Sequence, residues 1–159
     1  MNKIGLLPLL DENTKVLILG SFPGQESLEK KQYYINSRNQ FWRLMKEILG
    51  WKAIPDEYNK RCNLLLNKGI GLWDVLESCS RVGSSDNKIR NIKANKIDQL
   101  LKEYSRIKAV FCNGKTAYEF LSKTCFVTIN SVYLPSSSPA HAVPFNIKLK
   151  EWWQIKEYL

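Results

Sequence analysis

A chain of 159 residues with 44% apolar side chains has the size and composition of one globular domain, residues 1–159, with a single good core. The net charge of +9, from 24 Lys plus Arg against 15 Asp plus Glu, argues for a polyanionic partner, since neutralising phosphates needs spread positive charge. A merely solvated basic surface is the plainer alternative. No apolar run approaches transmembrane length, and Pro8 interrupts the short apolar patch of MNKIGLLPLL. Neither a membrane role nor a signal peptide is expected, and the chain reads as cytoplasmic. Cys62, Cys79, Cys112 and Cys125 lie far apart with no Cys-x-x-Cys pair, which argues against a zinc ribbon or a cysteine-bound iron–sulfur cluster. Reduced, mostly buried thiols are the expectation.

In chain order, Leu6 to Leu10 reads as an arm on the domain edge, and Asp11 to Thr14 as a turn. Val16, Leu17, Ile18 and Leu19 form an unbroken apolar run, the pattern of a strand buried on both faces of a parallel sheet. Gly20-Ser21-Phe22-Pro23-Gly24 closes it, with free backbone N–H groups, one hydroxyl and one aromatic face. Ligands of open α/β sheets bind just beyond such strand ends. The segment Gln25 to Arg38 reads as a loop in which Tyr33 and Tyr34 are interleaved with positive charge, suited to stacking on bases. Tyrosines packed against the body are the plainer reading.

A helix is predicted from near Asn39 to Leu49, with Gly50 as its stop and Asn39 at its amino end. Spacing alone makes Asn39 a capping residue. A second helix is predicted over Asp56–Asn67, then a compact strand or turn over Gly69–Leu76, whose Asp74 is either buried and hydrogen-bonded or faces a cleft. Gly83 to Asp86 reads as a loop, and Lys88 to Lys102 as a basic amphipathic helix or two short ones. Ile107–Phe111 is the next buried strand; it leads into Cys112-Asn113-Gly114-Lys115 and a helix from Thr116 to about Ser122. A last strand, Phe126–Leu134, runs into Pro135-Ser136-Ser137-Ser138-Pro139-Ala140-His141, and a helix over Ile147–Leu159 ends the chain. Three strand-to-loop junctions thus converge on one sheet edge. Serine hydroxyls on a stiff turn suit a phosphate backbone.

With Gly20–Gly24, Asn39-Gln40-Phe41-Trp42, Asn113–Tyr118 and Leu134–Pro139 in this order, the chain resembles the uracil-DNA glycosylase superfamily, closest to its hypoxanthine (deoxyinosine) and mismatch-specific branches. The resemblance covers nearly the whole chain. It implies an α/β fold, a three-layer α/β/α sandwich around a four-stranded parallel sheet. It also implies a monofunctional DNA glycosylase that needs no cofactor or metal and acts, as a monomer, on a base flipped out of DNA. Two departures matter. Phe22 stands where many members carry a water-activating Asp or Asn, and Leu134 and Ser136 stand where several carry His or Asn. The polar group that helps the reaction must therefore lie elsewhere.

On the resemblance, Asn39 and Asn113 fall where the hypoxanthine branch has its functional asparagines, which raises Asn39 from cap to catalyst. An amide is no strong base, but it can orient water or hydrogen-bond the departing base. Phe22 is expected to stack on that base, with Gly20, Ser21 and Gly24 as donors and Tyr33 and Tyr34 as walls. Asn113 is expected to read the base edge, accepting from N1–H of hypoxanthine and donating to O6. Uracil presents the same pair, so hypoxanthine rests on the resemblance. Ser136, Ser137 and Ser138 are expected to grip phosphates, with Ala140 and His141 beside the base stack. A uracil- or thymine-mismatch glycosylase and a non-catalytic DNA-binding relative are the alternatives.

Overall fold

The computed structural model describes residues 2–126 and 129–159. After a two-residue strand β1 (Lys3–Ile4), the apolar run forms β2 (Val16–Gly20), every residue of which is buried. β2 is paired in parallel on one side with β3 (Ile70–Asp74) and on the other with β6 (Ala109–Asn113). β7 (Asn130–Leu134) completes a four-stranded parallel sheet of order β3-β2-β6-β7. The period of two along β2 and β6 divides the core. Val16, Ile18, Ala109 and Phe111 face one layer, while Leu17, Leu19, Val110 and Cys112 face the other.

The first layer holds α2 (Phe41–Leu49), α3 (Tyr58–Asn67) and α6 (Phe145–Trp152); the second holds α4 (Ile97–Glu103) and α5 (Lys115–Thr124). This is the expected α/β/α sandwich. α2 ends at Gly50, whose φ of 70° supplies the left-handed residue that closes the helix. The final helix is shorter than expected: after Trp152 the chain tightens into a 3₁₀ turn over Trp153–Tyr158. All four cysteines are buried with free thiols. Among the described residues no helix is long and apolar enough to cross a membrane.

Several expectations are corrected. The segment after Gly24 is not all loop: Gln25–Lys30 forms helix α1, stopped by Lys31 at φ 54°. Residues 88–102 are not a continuous basic helix. Arg90–Ala94 is strand β5, antiparallel to β4 (Leu76–Ser80), and only Ile97–Glu103 is helical. With β1 these strands make a second sheet of order β1-β4-β5, held over a small core of Phe22, Leu76, Cys79 and Ile89. Strand pairing of a polar segment depends on a distant partner, which local spacing does not reveal. Of the last predicted strand, 130–134 is strand, whereas positions 127 and 128 lie outside the described residues.

Candidate active site

Parallel pairing sets Gly20 directly beside Asp74, and Asn113, which follows the Leu19 partner Cys112, level with Gly20 and opposite Leu134. The carboxyl ends of all four strands of this sheet therefore meet at one edge. Gly20 is glycine for a steric reason. A Cβ there would lie 2.5 Å from Asp74 Oδ1 and 3.2 Å from the Tyr34 hydroxyl oxygen. Both oxygens converge on the space that Gly20 leaves open. Gly20→Ala is expected to force them apart and to destabilise the fold by about 1–3 kcal/mol, the range for overpacking, measured by urea unfolding.

Asn113 is tied to the serine turn. Its Oδ1 accepts the Ser137 backbone N–H at 2.9 Å, and its Nδ2 donates to Ser137 Oγ at 2.9 Å. An amide has only one side on which C=O and N–H run parallel, and Ser137 occupies it. The expected two-point reading of a base edge by Asn113 therefore conflicts with its bonds in this structure. Ser137 is itself buried, and its carbonyl accepts the Gln40 N–H at 2.9 Å. Ser137 is thus an internal tie rather than a phosphate contact. It joins the Asn113 strand end to the start of α2.

Asn39 stands one residue before that junction. Its Oδ1 accepts the Phe41 N–H at 2.9 Å, a bond to the first residue of α2 made from one position before the N-cap, which is Gln40 rather than the expected Asn39. A backbone N–H can face only the oxygen of an amide, so this bond also fixes which end is which. The NH2 end of Asn39 is left as a donor. Phe41 in turn stacks on Tyr34, ring centroids 4.1 Å apart and 23° from parallel. The Tyr34 hydroxyl is buried with no hydrogen-bond partner, beside Asp74 and the Asn113 amide, and burial pushes its pKa up. Asn39, Tyr34, Asn113, Gly20 and Asp74 thus form one contiguous constellation.

Phe22 and Tyr33 sit differently. Phe22 is 6% exposed and packs into the core under the second sheet, its ring 5.3 Å from the Arg81 guanidinium. Its ring lies against these neighbouring side chains. Tyr33 is buried in the main core and donates its hydroxyl to the Leu7 carbonyl at 2.7 Å. Burial and several neighbours, Asp74 among them, raise its pKa. Ser21 is also buried and donates to Asp86 Oδ1 at 2.8 Å. Gly24 caps α1, at 3.4 Å (from an added Cβ) to Ser84 Oγ.

The rest of the serine turn is more open. Ser136 Oγ accepts the Ser138 N–H at 3.1 Å, and Ser138 Oγ accepts the Ala140 N–H at 3.2 Å. Both hydroxyls keep their protons to donate. Ala140 and His141 are exposed at the end of the turn. From beneath, the buried Lys148 donates to the Ser138 carbonyl at 3.2 Å, and its desolvation lowers its pKa.

Three groups fell outside the sequence-derived site. Arg81, fully buried, donates to the carbonyls of Pro23 and Gly83 and lies 3.7 Å from Asp86, so it clamps the Gly20–Gly24 turn from the β4–β5 hairpin. Asp86 receives Ser21. Asp74 is the third: buried at the strand end, with Oδ2 lacking any partner. Burial first, then the Asp86 charge, push its pKa up to about 7, with Arg81 pulling the other way. An aspartate ending an apolar strand was a legible signal, but only the register with Gly20 assigns it to this edge.

A parallel α/β/α sandwich whose amides, carboxyl and serine turn meet beyond the strand ends is an open-sheet α/β protein, the class whose ligands bind outside the carboxyl ends of the strands. The chain belongs to the uracil DNA glycosylase superfamily, whose family model matches residues 7–159. It is 38% identical over 152 residues to a protein of Methanosarcina acetivorans named hypoxanthine DNA glycosylase, with 96% of each chain covered. A Methanosarcina barkeri protein of the same name is 36% identical over the same coverage. The solution NMR structure of a Methanosarcina acetivorans protein, provisionally assigned as a uracil DNA glycosylase, superposes with a TM-score of 0.84 at 37% identity. That match covers 98% of this chain and 96% of the other.

Proposed function

We propose that this protein is a DNA glycosylase that hydrolyses the N-glycosidic bond of a deaminated base flipped out of DNA, hypoxanthine first among them. What carries the reading is the donor set at the sheet edge on a chain so similar to proteins named hypoxanthine DNA glycosylase. That set is the NH2 end of Asn39, beside a serine turn anchored by Asn113. In the reaction the C1′–N bond breaks, its electron pair leaves with the base, and water supplies a hydroxyl to C1′. Charge grows on the leaving base, so a preplaced N–H donor lowers the barrier. The geometry of Asn39 suits that work: its carbonyl is held by the Phe41 N–H, which leaves the NH2 as a donor.

Asn113 acts as an anchor in this reading. Its two hydrogen bonds to Ser137 hold the turn from which the Ser136 and Ser138 hydroxyls reach flanking phosphates. Extruding a base costs a few kcal/mol, less at a lesion or mismatch, and phosphate contacts offset part of it. The basic surface, +9 overall, supplies the nonspecific attraction to DNA.

Matched duplexes carrying inosine, uracil, xanthine or a T·G mismatch test the reading. Cleavage of the inosine duplex ahead of the others is the expected result, read as strand scission at the abasic product. Faster removal of uracil or thymine would transfer the assignment to a mismatch enzyme. No cleavage of any duplex or single strand would leave a DNA-binding relative.

A further inference from the structure

The geometry points to Asp74 as the group that accepts a proton from the attacking water. This rests on the glycosylase reading above. That reading leaves a vacancy, since Phe22 fills the position where an acid was sought and Asn39 presents a donor rather than a base.

Asp74 differs from the structural carboxylates of this chain. Asp11 Oδ1 accepts the Asn13 N–H at 2.9 Å and the Thr14 hydroxyl, and Asp86 accepts Ser21. Asp74 Oδ2, although buried, accepts nothing, and the residue is held through its backbone carbonyl, which accepts Asn95 Nδ2 at 2.8 Å. A buried carboxylate oxygen left without a partner is costly, so the sequence retains it against its own stability. Oδ1 points into the space over Gly20, at the level of the strand end where ligands of such sheets bind. Only 4% of the residue is exposed, which is the desolvated setting in which a carboxylate becomes a stronger base.

The groups facing Asp74 are few. Tyr34 and Tyr33 come from the segment after α1; Asp86 and Arg81 come from the β4–β5 hairpin. Both tyrosines have raised pKa values and stay neutral at physiological pH, so Asp86 and Arg81 are the charges that bias it. The resulting value near 7 lets the group be ionised at working pH and still take up a proton.

The step balances. As C1′–N breaks and the base departs with the pair, the water oxygen bonds to C1′ and one of its protons passes to the Asp74 carboxylate. That proton then returns through solvent to the base anion, and no proton is gained or lost overall.

Single-turnover cleavage of the inosine duplex from pH 5.5 to 9 tests it, with binding to an uncleavable duplex followed in parallel. The wild-type rate is expected to rise with pH and level off above a midpoint near 7. Asp74→Asn should slow the plateau by about 10²–10⁴-fold, the usual contribution of a general base, and flatten the profile while binding is retained. If the amide variant does not fold, Asp74→Ser carries the same expectation. Wild-type rates in the variant, or a slowed reaction with an unchanged pH profile, would overturn the proposal and leave the glycosylase reading standing. Should the wild type cut uracil or xanthine instead, the same comparison is made on that duplex. If it cuts nothing, both readings fall together.

Discussion

Asn39→Ala is expected to reduce single-turnover cleavage of the inosine duplex by about 10²–10³-fold, the loss typical of one preorganised donor. Binding to an uncleavable duplex should be retained, because the proposed function assigns the phosphate contacts to the serine turn and the basic surface. The same substitution removes a second function. Asn39 Oδ1 accepts the Phe41 N–H, so alanine leaves a donor at the start of α2 without its acceptor. Loss of such a hydrogen bond at a helix start costs about 1 kcal/mol. For a chain of this length that lowers the melting temperature by about 2–4 °C. Asn39→Asp separates the two effects. An aspartate keeps the carbonyl-type oxygen for Phe41 but has no NH2, so stability should survive while cleavage falls. A variant that caps without donating and still cleaves at the wild-type rate would remove Asn39 from the chemistry.

The second large effect concerns stability against pH. The folded pKa of Asp74 stands near 7, against an ordinary value of 3.8. Between these values the native protein keeps a proton that the unfolded chain has released, so folding takes up a proton. Stability must then fall as pH rises from about 4 to about 7, and the loss is complete above that window. Three pK units correspond to roughly 4 kcal/mol. Asp86, shifted in the same direction with burial as the main cause, adds to the trend.

Asp74→Asn removes the charge that the fold disfavours. It is expected to raise unfolding free energy at pH 8 by about 1–3 kcal/mol, part of the full penalty, because the new NH2 also needs a partner. The advantage should shrink on acidification and vanish below about pH 4, where both proteins are neutral at this site. Urea unfolding at several pH values checks this. A destabilised amide variant at pH 8 would mean that the carboxylate is held by bonds after all. A stabilised but inactive variant is the pairing expected of a group kept for chemistry at the expense of stability.

Taken together, the two substitutions divide labour at one sheet edge. Asn39 offers a neutral donor from a helix start. Asp74 offers an acceptor from a strand end. Asn39 is tied by the Phe41 backbone N–H, and Asp74 by the Asn95 side-chain amide on its backbone carbonyl.

Much of this was legible without coordinates. Val16–Leu19 is apolar at every position, and a strand of that kind has to be covered on both faces, which implies the α/β/α layers. Asn39 lies next to the apolar face of a helix, so its place at the helix start followed from local spacing. The family motifs carried the order of the junctions. Tertiary structure decided what depends on partners distant in the chain. Arg90–Ala94 is a strand because β4 pairs with it, although its own residues permit a helix. Phe22 became core because the β1-β4-β5 sheet closes over it. Asn113 turned from a base reader into an anchor because Ser137, 24 residues away, occupies its amide edge. Asp74 joined the site because parallel register sets it against Gly20, a neighbour 54 positions earlier. Local sequence specifies period and caps; which buried polar atom is left without a partner is a property of the assembled sheet alone.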